Sequence, residues 1–543
     1  ANNGDSKRFQ PRTYINKTIA DFDGDVNVQN FTRTSALLES YLNYRKSVGT
    51  HNFDVTGGYS YQDFDAEFPS WRAFDLDSDI FGTNSTAPAA RFQAFNSVIE
   101  NRLISFFGRV NYGFNDKYLF TATVRRDGST RFGESTRWGW FPSAAFAWRI
   151  LQEDFAAGLS DIFSDLKLRI GYGVTGNQEI GNFLYLPRYS FSDARARYQF
   201  GNEFVTTVRP DGYDANLKWE ETASLNVGID FGFLNGRISG IIDYYNKRTN
   251  DLLFVVNVPA GTNLTDRVLT NIGEVQNQGI ELTLDAVAVT TKDLQWSLSG
   301  NIAFNNNEIL AIDRTSQQGI LTGGISGGVG NNVQILQVGQ PAFAFYLFDH
   351  KLDANGKPLV DGVDHNEDGI TNLADMYEDL DGNGIVNDFD KRPVQAPAPR
   401  VLLGLTSNLT YKQFDFSFTL RGNVGNYIYN NNASNNGYFN RVNERGDIFL
   451  NNIHTSALVT QFRGPQYFSD YYLENGSFLR LDNASLGYTV PNMQKGRSMR
   501  LYLTAENLFV LTNYTGLDPE IGGIDNAPYP RSRGFVFGLS LGL

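Results

Sequence analysis

RGFVFGLSLGL, Arg533 to Leu543, alternates Phe535, Phe537, Leu539, Leu541 and Leu543 with Val536, Gly538, Ser540 and Gly542. Successive side chains of a strand point to opposite faces, so the stretch has one greasy face backed by small residues and runs to the end of the sequence. A closing strand of an outer-membrane β-barrel has this form. It predicts a protein that crosses a membrane without a hydrophobic helix.

Other segments repeat the pattern over about ten residues, the length a tilted strand needs to cross a bilayer. In one of them Ala223, Leu225, Val227, Ile229, Phe231 and Phe233 alternate with Thr222, Ser224, Asn226, Gly228, Asp230 and Gly232. Phe414, Phe416, Phe418 and Leu420 alternate with Asp415, Ser417, Thr419 and Arg421, and Trp296, Leu298, Gly300, Ile302 and Phe304 with Ser297, Ser299, Asn301 and Ala303. His51 to Tyr61 and Ile280 to Ala286 behave alike.

The connections fall into two classes. Tight turns are predicted at Asn115-Asp116, Lys292-Asp293, Lys412-Gln413 and Asn235-Gly236, the last a dipeptide suited to a type I′ hairpin. Long loops run from about Asn306 to Pro399, Gly425 to Asn475, Gly176 to Leu217 and Asp63 to Ser97. With the C-terminus placed in the periplasm, counting strands backwards puts every tight turn on the periplasmic rim and every long loop outside, as outer-membrane barrels require. The count is about 15 or 16 strands, against about 22 in the large plugged transporters. A soluble β-sandwich or adhesin would also alternate, but with shorter and more even loops.

Composition agrees. Aromatics reach 14% with 27 Tyr and 42 Phe, and no apolar run is long enough for a membrane helix. With no cysteine there are no disulfides, thiolate metal sites or Cys nucleophiles. Asp plus Glu number 59 against 46 Lys plus Arg, a net charge of −13 that disfavours nucleic-acid binding. The sequence opens at Ala1 without an initiator Met or a signal-like apolar core, and the expectation is a start inside a longer protein.

Toward the C-terminus the motifs become specific. AENLFVLTNYTGLDPE (Ala505 to Glu520), YLENGSFLRLDNASLGYTVP (Tyr472 to Pro491) and NIGEVQNQGIEL (Asn271 to Leu282, with Asn271, Gly273, Asn277, Gly279 and Glu281) form a series. RRDGSTRFG at Arg125, WGWFPSAAFAWRI at Trp138 and LKLRIGYGVTGNQEIG at Leu166 complete it. Their Gly and Asn permit positive φ at strand ends, and Pro142 and Pro491 are expected to stop strands. In this order they resemble the SusC/RagA-type TonB-dependent transporters of the Bacteroidetes.

That resemblance implies an all-β fold, a transmembrane antiparallel β-barrel of the large TonB-dependent type, incomplete in this chain. Residues 1–543 would be the C-terminal part of the barrel, in the cell outer membrane, with a long extracellular loop at about 306–399. The function it implies is active import of an oligosaccharide or peptide. The partners it implies are a SusD-like surface lipoprotein, TonB, ExbB and ExbD acting through an N-terminal part not recognisable here, and the lipid of the outer membrane. No covalent step is expected, so the reading is not an enzyme. A passive porin-like channel, an outer-membrane assembly component, or an outer-membrane enzyme using loop carboxylates are the alternatives.

The clearest ligand constellation lies in the longest loop: DHNEDGITNLAD, Asp364 to Asp375, then DLDGNGIVNDFD, Asp379 to Asp390. The first offers Asp364, Asn366, Asp368 and Asp375 with the Ile370 carbonyl; the second offers Asp379, Asp381, Asn383 and Asp390 with the Ile385 carbonyl. Hard oxygen donors on a twelve-residue loop with a glycine at position six suit Ca²⁺ in a structural role. An acidic turn that binds nothing is the bland alternative. Trp71, Trp138, Trp140, Trp148, Trp219 and Trp296 are expected mostly in interfacial girdles, and GNYIYNNNASNNGYFN from Gly425 in a solvated loop. His51, His350, His365 and His454 show no metal spacing.

Overall fold

The computed structural model of the chain describes residues 2–14, 23–84, 86, 89–191, 197–257, 265, 267–312, 319–327, 330–443, 450–491, 496–526 and 529–542. Leu543, the last residue of the alternating terminal stretch, lies outside them. Sixteen strands make the main antiparallel sheet. They are β1 (Asn2–Gln10), β2 (Asp25–Val48), β3 (His51–Glu67), β4 (Val98–Phe114), β5 (Tyr118–Ser129), β6 (Trp138–Arg149), β7 (Phe163–Asn177) and β8 (Glu220–Phe233). There follow β9 (Ile238–Asn257), β10 (Arg267–Thr290), β11 (Leu294–Ala311), β12 (Val401–Tyr411), β13 (Phe414–Val424), β14 (Phe478–Thr489), β15 (Ser498–Thr512) and β16 (Gly534–Gly542). Ser70–Leu76 and Ala89–Phe95 extend it beside β2, for 18 strands in the one sheet.

Each of the sixteen pairs antiparallel with its neighbour in the chain. The fold is therefore an unbroken meander. Period-two alternation fixes its register: Ile229 of β8 lies between Leu168 of β7 and Ile242 of β9, and a one-residue slip would oppose apolar to charged side chains. Leu225 and Ile229 stand 37% and 42% exposed while Gly228 and Gly232 are buried, so the apolar face is the one turned to the surroundings. Among the described residues no ladder joins β16 to β1 or β2, and β2 has a strand on its second side only from Asp25 to Arg33. The sheet is not closed.

All the tight turns lie on one rim, and they bond to one another there. Asn115 N–H donates to the Thr50 carbonyl at 2.8 Å, Arg149 to Lys117 at 2.9 Å, Val287 to Arg237 at 2.7 Å, Lys412 to Asp293 at 2.7 Å and Thr489 to Gln413 at 2.8 Å. Connections 68–97, 178–219, 312–400, 425–477 and 513–533 lie on the opposite rim. Asn115 and Asp116 take φ of 55° and 53°, the type I′ pair. At the β8–β9 hairpin the pair is shifted by one residue from the expected Asn235-Gly236: Leu234 and Asn235 take φ of 53° and 58°, and Gly236 donates to Phe233 at 3.1 Å. Pro142 does not end its strand. It pairs with Val124 inside β6, and what begins only after it, at Ser143, is the ladder to β7, since proline has no N–H to give that side.

Candidate functional site

Connections 312–400, 425–477 and 513–533 fold together on the long-loop rim. Ile325, Val333, Phe345, Leu347, Tyr429 and Phe462 lie in their shared core, each less than a tenth exposed. Asn431, expected in a solvated loop, is 1% exposed, and its side-chain amide donates to the Ser326 hydroxyl at 2.8 Å and to Asn526. Tyr429 and Asp525 join the second and third connections by backbone bonds, Tyr429 N–H to the Gly523 carbonyl at 2.8 Å and Asp525 N–H to the Tyr429 carbonyl at 2.9 Å. The polar composition of 425–440 misled because Asn fills its bonding capacity from neighbouring loops instead of water.

The two acidic loops hang on this body through Phe348, Met376, Tyr377 and Val386, all buried. Asp375 and Asp390, the twelfth residues, are 1% and 0% exposed. Asp375 accepts backbone N–H groups of His365 at 2.7 Å, Asn366 at 3.2 Å and Asn372 at 2.9 Å. Asp390 accepts from Leu380 at 2.8 Å, Asp381 at 3.3 Å and Asn387 at 2.8 Å. Those N–H groups, Asn372 and Asn387 foremost, hold both carboxyls below the usual carboxylate range. At the first positions Asp364 accepts from Gly369 at 2.8 Å and Asp379 from Gly384 at 2.7 Å.

Position for position the loops share one geometry, and they differ in how far they gather oxygen. Carboxylate oxygens of Asp379, Asp381 and Asp390 lie within 4.8 Å of one another. Among the described residues that grouping occurs in the second loop alone. In the first loop Asp364 Oδ1 is buried without a hydrogen-bond partner, while Asp368 accepts from Ile370 N–H at 2.7 Å and from the Asn366 amide at 3.1 Å. Asn383 accepts from Ile385 N–H at 2.8 Å, and the Ile385 carbonyl already accepts from Asn387 at 3.1 Å. Ile370 and Ile385 are 63% and 67% exposed, and because their hydrocarbon side chains carry no ligand atom only their backbone carbonyls are available. Three like charges at this spacing, and a buried carboxylate oxygen with nothing to accept from, could hold a hard cation.

Two features escaped the sequence reading. Lys391, next to the second loop, lies with Nζ 3.5 Å from the centroid of Phe468 and 5.0 Å from that of Phe348, its side chain 8% exposed, and pairs with Asp388 at 2.9 Å. The second is a charged clamp in the LDPE stretch of connection 513–533. Asp518 takes Arg480 at 2.7 Å and Arg531 at 3.1 Å, while Glu520 takes Arg531 at 3.0 Å and also Arg421, which holds Asp482 at 2.8 Å. Its signal, two acids flanking Pro519, was present in the sequence, but two of its arginine partners, Arg480 and Arg421, are far away along the chain.

His350 is a packed residue, with Nδ1 2.8 Å from the Ser469 hydroxyl and Nε2 2.9 Å from the Leu359 carbonyl. A carbonyl only accepts, so Nε2 carries the hydrogen and Nδ1 accepts from Ser469. Of the tryptophans, Trp138, Trp140 and Trp296 are 39%, 58% and 37% exposed on the apolar face, and Trp219 is buried against Phe132 and Phe141. Between the loops a cavity of about 660 Å³ is lined by His454, Leu458, Tyr471, Glu474, Asn475 and Thr515, among others.

The family model for the β-barrel of TonB-dependent receptor-like proteins matches residues 2–508. The TonB-dependent receptor SusC of Bacteroides thetaiotaomicron is 40% identical over 550 residues, which cover 96% of this chain and 51% of that protein. The TonB-dependent receptor P3 of Formosa agariphila is 30% identical over 559 residues, 98% of this chain and 54% of that protein. A solved structure of the RagAB peptide transporter superposes with a TM-score of 0.78 at 24% identity, covering 100% of this chain and 58% of that chain. The chain thus spans about half the length of the curated relatives it matches.

Proposed function

The chain belongs to the TonB-dependent receptor β-barrel family of the outer membrane, and from that premise we propose that it is the barrel of an energised importer of the SusC type. The observation that carries the reading is the segregation of connections. All the turns that need no function share one rim, and the long connections build a packed body on the other, where cargo would arrive. That rim faces the cell exterior. Backbone groups cannot stay unpaired in lipid, so the free edges of β2 and β16 call for further strands between them. The half-length coverage of the relatives supports their coming from a larger protein that also carries the plug and the segment TonB pulls.

Oligosaccharides or peptides are the proposed cargo, after the relatives named for SusC and for a peptide transporter. A SusD-like lipoprotein is the proposed outer partner, with TonB, ExbB and ExbD supplying energy from the periplasmic side. Tyr471, Glu474 and Asn475 in the loop cavity offer a ring face beside hydrogen-bonding groups, which suits either cargo. The protein performs no covalent chemistry in this reading. The acidic loops bind Ca²⁺ as a brace for the outer body: Asp379, Asp381, Asn383 and Asp390 in the second loop and Asp364, Asn366, Asp368 and Asp375 in the first would hold it, and the ion would supply charge neutralisation alone.

Deleting the gene in its host and following uptake of labelled oligosaccharides and peptides tests the proposal. One cargo class should stop entering, and restoring the gene should return it. Uptake of both at the parental rate would remove the importer reading and leave an assembly role.

A further inference from the structure

Arg125 and Arg126 are neighbours in β5 with opposite fates. Arg125 points to the wet face, where it donates to Asp127 at 2.7 Å and to Ser105 at 2.7 Å. Arg126 points to the apolar face and is exposed; among the described residues no carboxylate pairs with it. Two indoles hold it instead. Its guanidinium carbon lies 4.8 Å from the Trp138 ring centroid and 5.1 Å from that of Trp140. Trp140 is its cross-strand partner, and Trp138, which stacks on Phe106 at 6.3 Å, lies across Gly128, where an added Cβ would meet the ring at 2.8 Å.

The height of this group on the barrel can be read from the strand. Tyr118 and Trp148 pair at the tight-turn end, and Arg126 and Trp140 pair eight positions further along. At about 3.3 Å per residue and a tilt of about 40° that separates the pairs by roughly 20 Å across the bilayer, close to the ~25 Å apolar band between the girdles of such barrels. The apolar-face residues between them are Phe120, Ala122 and Val124 on β5 and Pro142, Ala144 and Phe146 on β6, with no polar group. Arg126 therefore stands where the hydrocarbon of the outer leaflet gives way to headgroups.

We propose that Arg126, clamped by Trp138 and Trp140, is a docking point for the phosphate of a phosphorylated glycolipid of the outer leaflet. The two ring faces hold the guanidinium at this depth by cation–π attraction, which uses none of its N–H donors. Beside both rings, it keeps a planar fork of N–H donors that matches a phosphate in a bidentate manner, and the rings can cover the sugar or acyl base of the same headgroup. The missing carboxylate is what leaves the fork free for an external anion.

The test uses the full-length protein reconstituted in phosphatidylcholine vesicles doped with either bisphosphorylated or dephosphorylated lipid A. Lipid retained on the re-purified protein is quantified by native mass spectrometry. Wild type should retain the bisphosphorylated form preferentially, and R126Q should retain roughly tenfold less or below, the worth of one charge-assisted contact. W140L should fall between them. Heat-modifiable gel mobility shows that each variant is folded, and R237Q, on the other rim, serves as the control that leaves retention unchanged. Equal retention by R126Q and wild type would overturn the proposal. So would full displacement by millimolar inorganic phosphate, which would make the site a bare anion site.

Discussion

Glu367 has a left-handed backbone, φ 60°, at the position of the first acidic loop that Gly382 occupies in the second with φ 70°. A side chain with a Cβ is strained there by about 1–2 kcal/mol, part of which is offset by the extra freedom a glycine has in the unfolded chain. Glu367→Gly should therefore tighten residues 364–372 by up to about 1 kcal/mol, read as slower amide exchange in that segment alone. His350 gives a second residue-scale expectation. Burial holds its imidazole below the ordinary 6.5, so the folded loop stays neutral while the unfolded loop takes up a proton. Its contribution is complete above pH 6.5 and is lost as pH falls below it, by at most about 1.4 kcal/mol per unit until the folded group also titrates. Asp470, raised by burial, favours the folded loop on acidification, so the His350 step is the one expected between about pH 7 and pH 5.5. Exchange at 348–350 and 469–472 should quicken over that interval, and His350→Phe should remove the step. Sequence showed His350 only as a histidine without metal spacing, because Ser469 and the Leu359 carbonyl come from segments brought together by the fold.

The acidic loops and hairpin turns act as elements. If the loops take Ca²⁺, calorimetry on the intact protein should show binding, and Asp379→Asn with Asp381→Asn should weaken the second site by roughly 10–100-fold. Chelation should free 364–390 to exchange while the barrel strands stay protected. Order unaffected by chelator would reduce the stretch to an acidic turn. Lys391 fastens the second loop to Phe468 and Phe348, and Lys391→Met, which keeps the apolar stem, should cost about 1–2 kcal/mol locally. In the β8–β9 hairpin Leu234 takes φ 53° and is 61% exposed, so Leu234→Asn should stabilise the refolded barrel against urea by about 1 kcal/mol. The strands were legible because a period of two is written locally, as at Thr222 to Phe233. The turn pair lies one residue earlier than expected: Asn-Gly fits the I′ preference better than Leu-Asn, but the pairing of Phe233 with Ile238 leaves Leu234 to Arg237 to make the turn. The ligand spacing of both loops was legible for the same local reason. That the second gathers three carboxylates and the first leaves Asp364 Oδ1 buried and unpaired depends on packing.

For the whole molecule, strand direction alternates without exception from β2 to β16, which is why counting back from Leu543 assigned every connection to its rim. What the count could not show is that the long connections are a packed body. Tyr429, Phe345 and Phe462 are fully buried at the centre of that body, and their segments are scattered over more than a hundred residues of polar, glycine-rich sequence. Among the described residues β16 and most of β2 have an unpaired edge, and a passive pore built with further strands there would need no energy. Dependence on energy is therefore what separates an importer from a channel. The decisive measurement is uptake of the labelled cargo by intact cells before and after the proton gradient is collapsed with a protonophore. In an energised importer, uptake through this protein stops while binding at the cell surface persists; uptake continuing at the same rate without the gradient would contradict that reading and make it a passive pore.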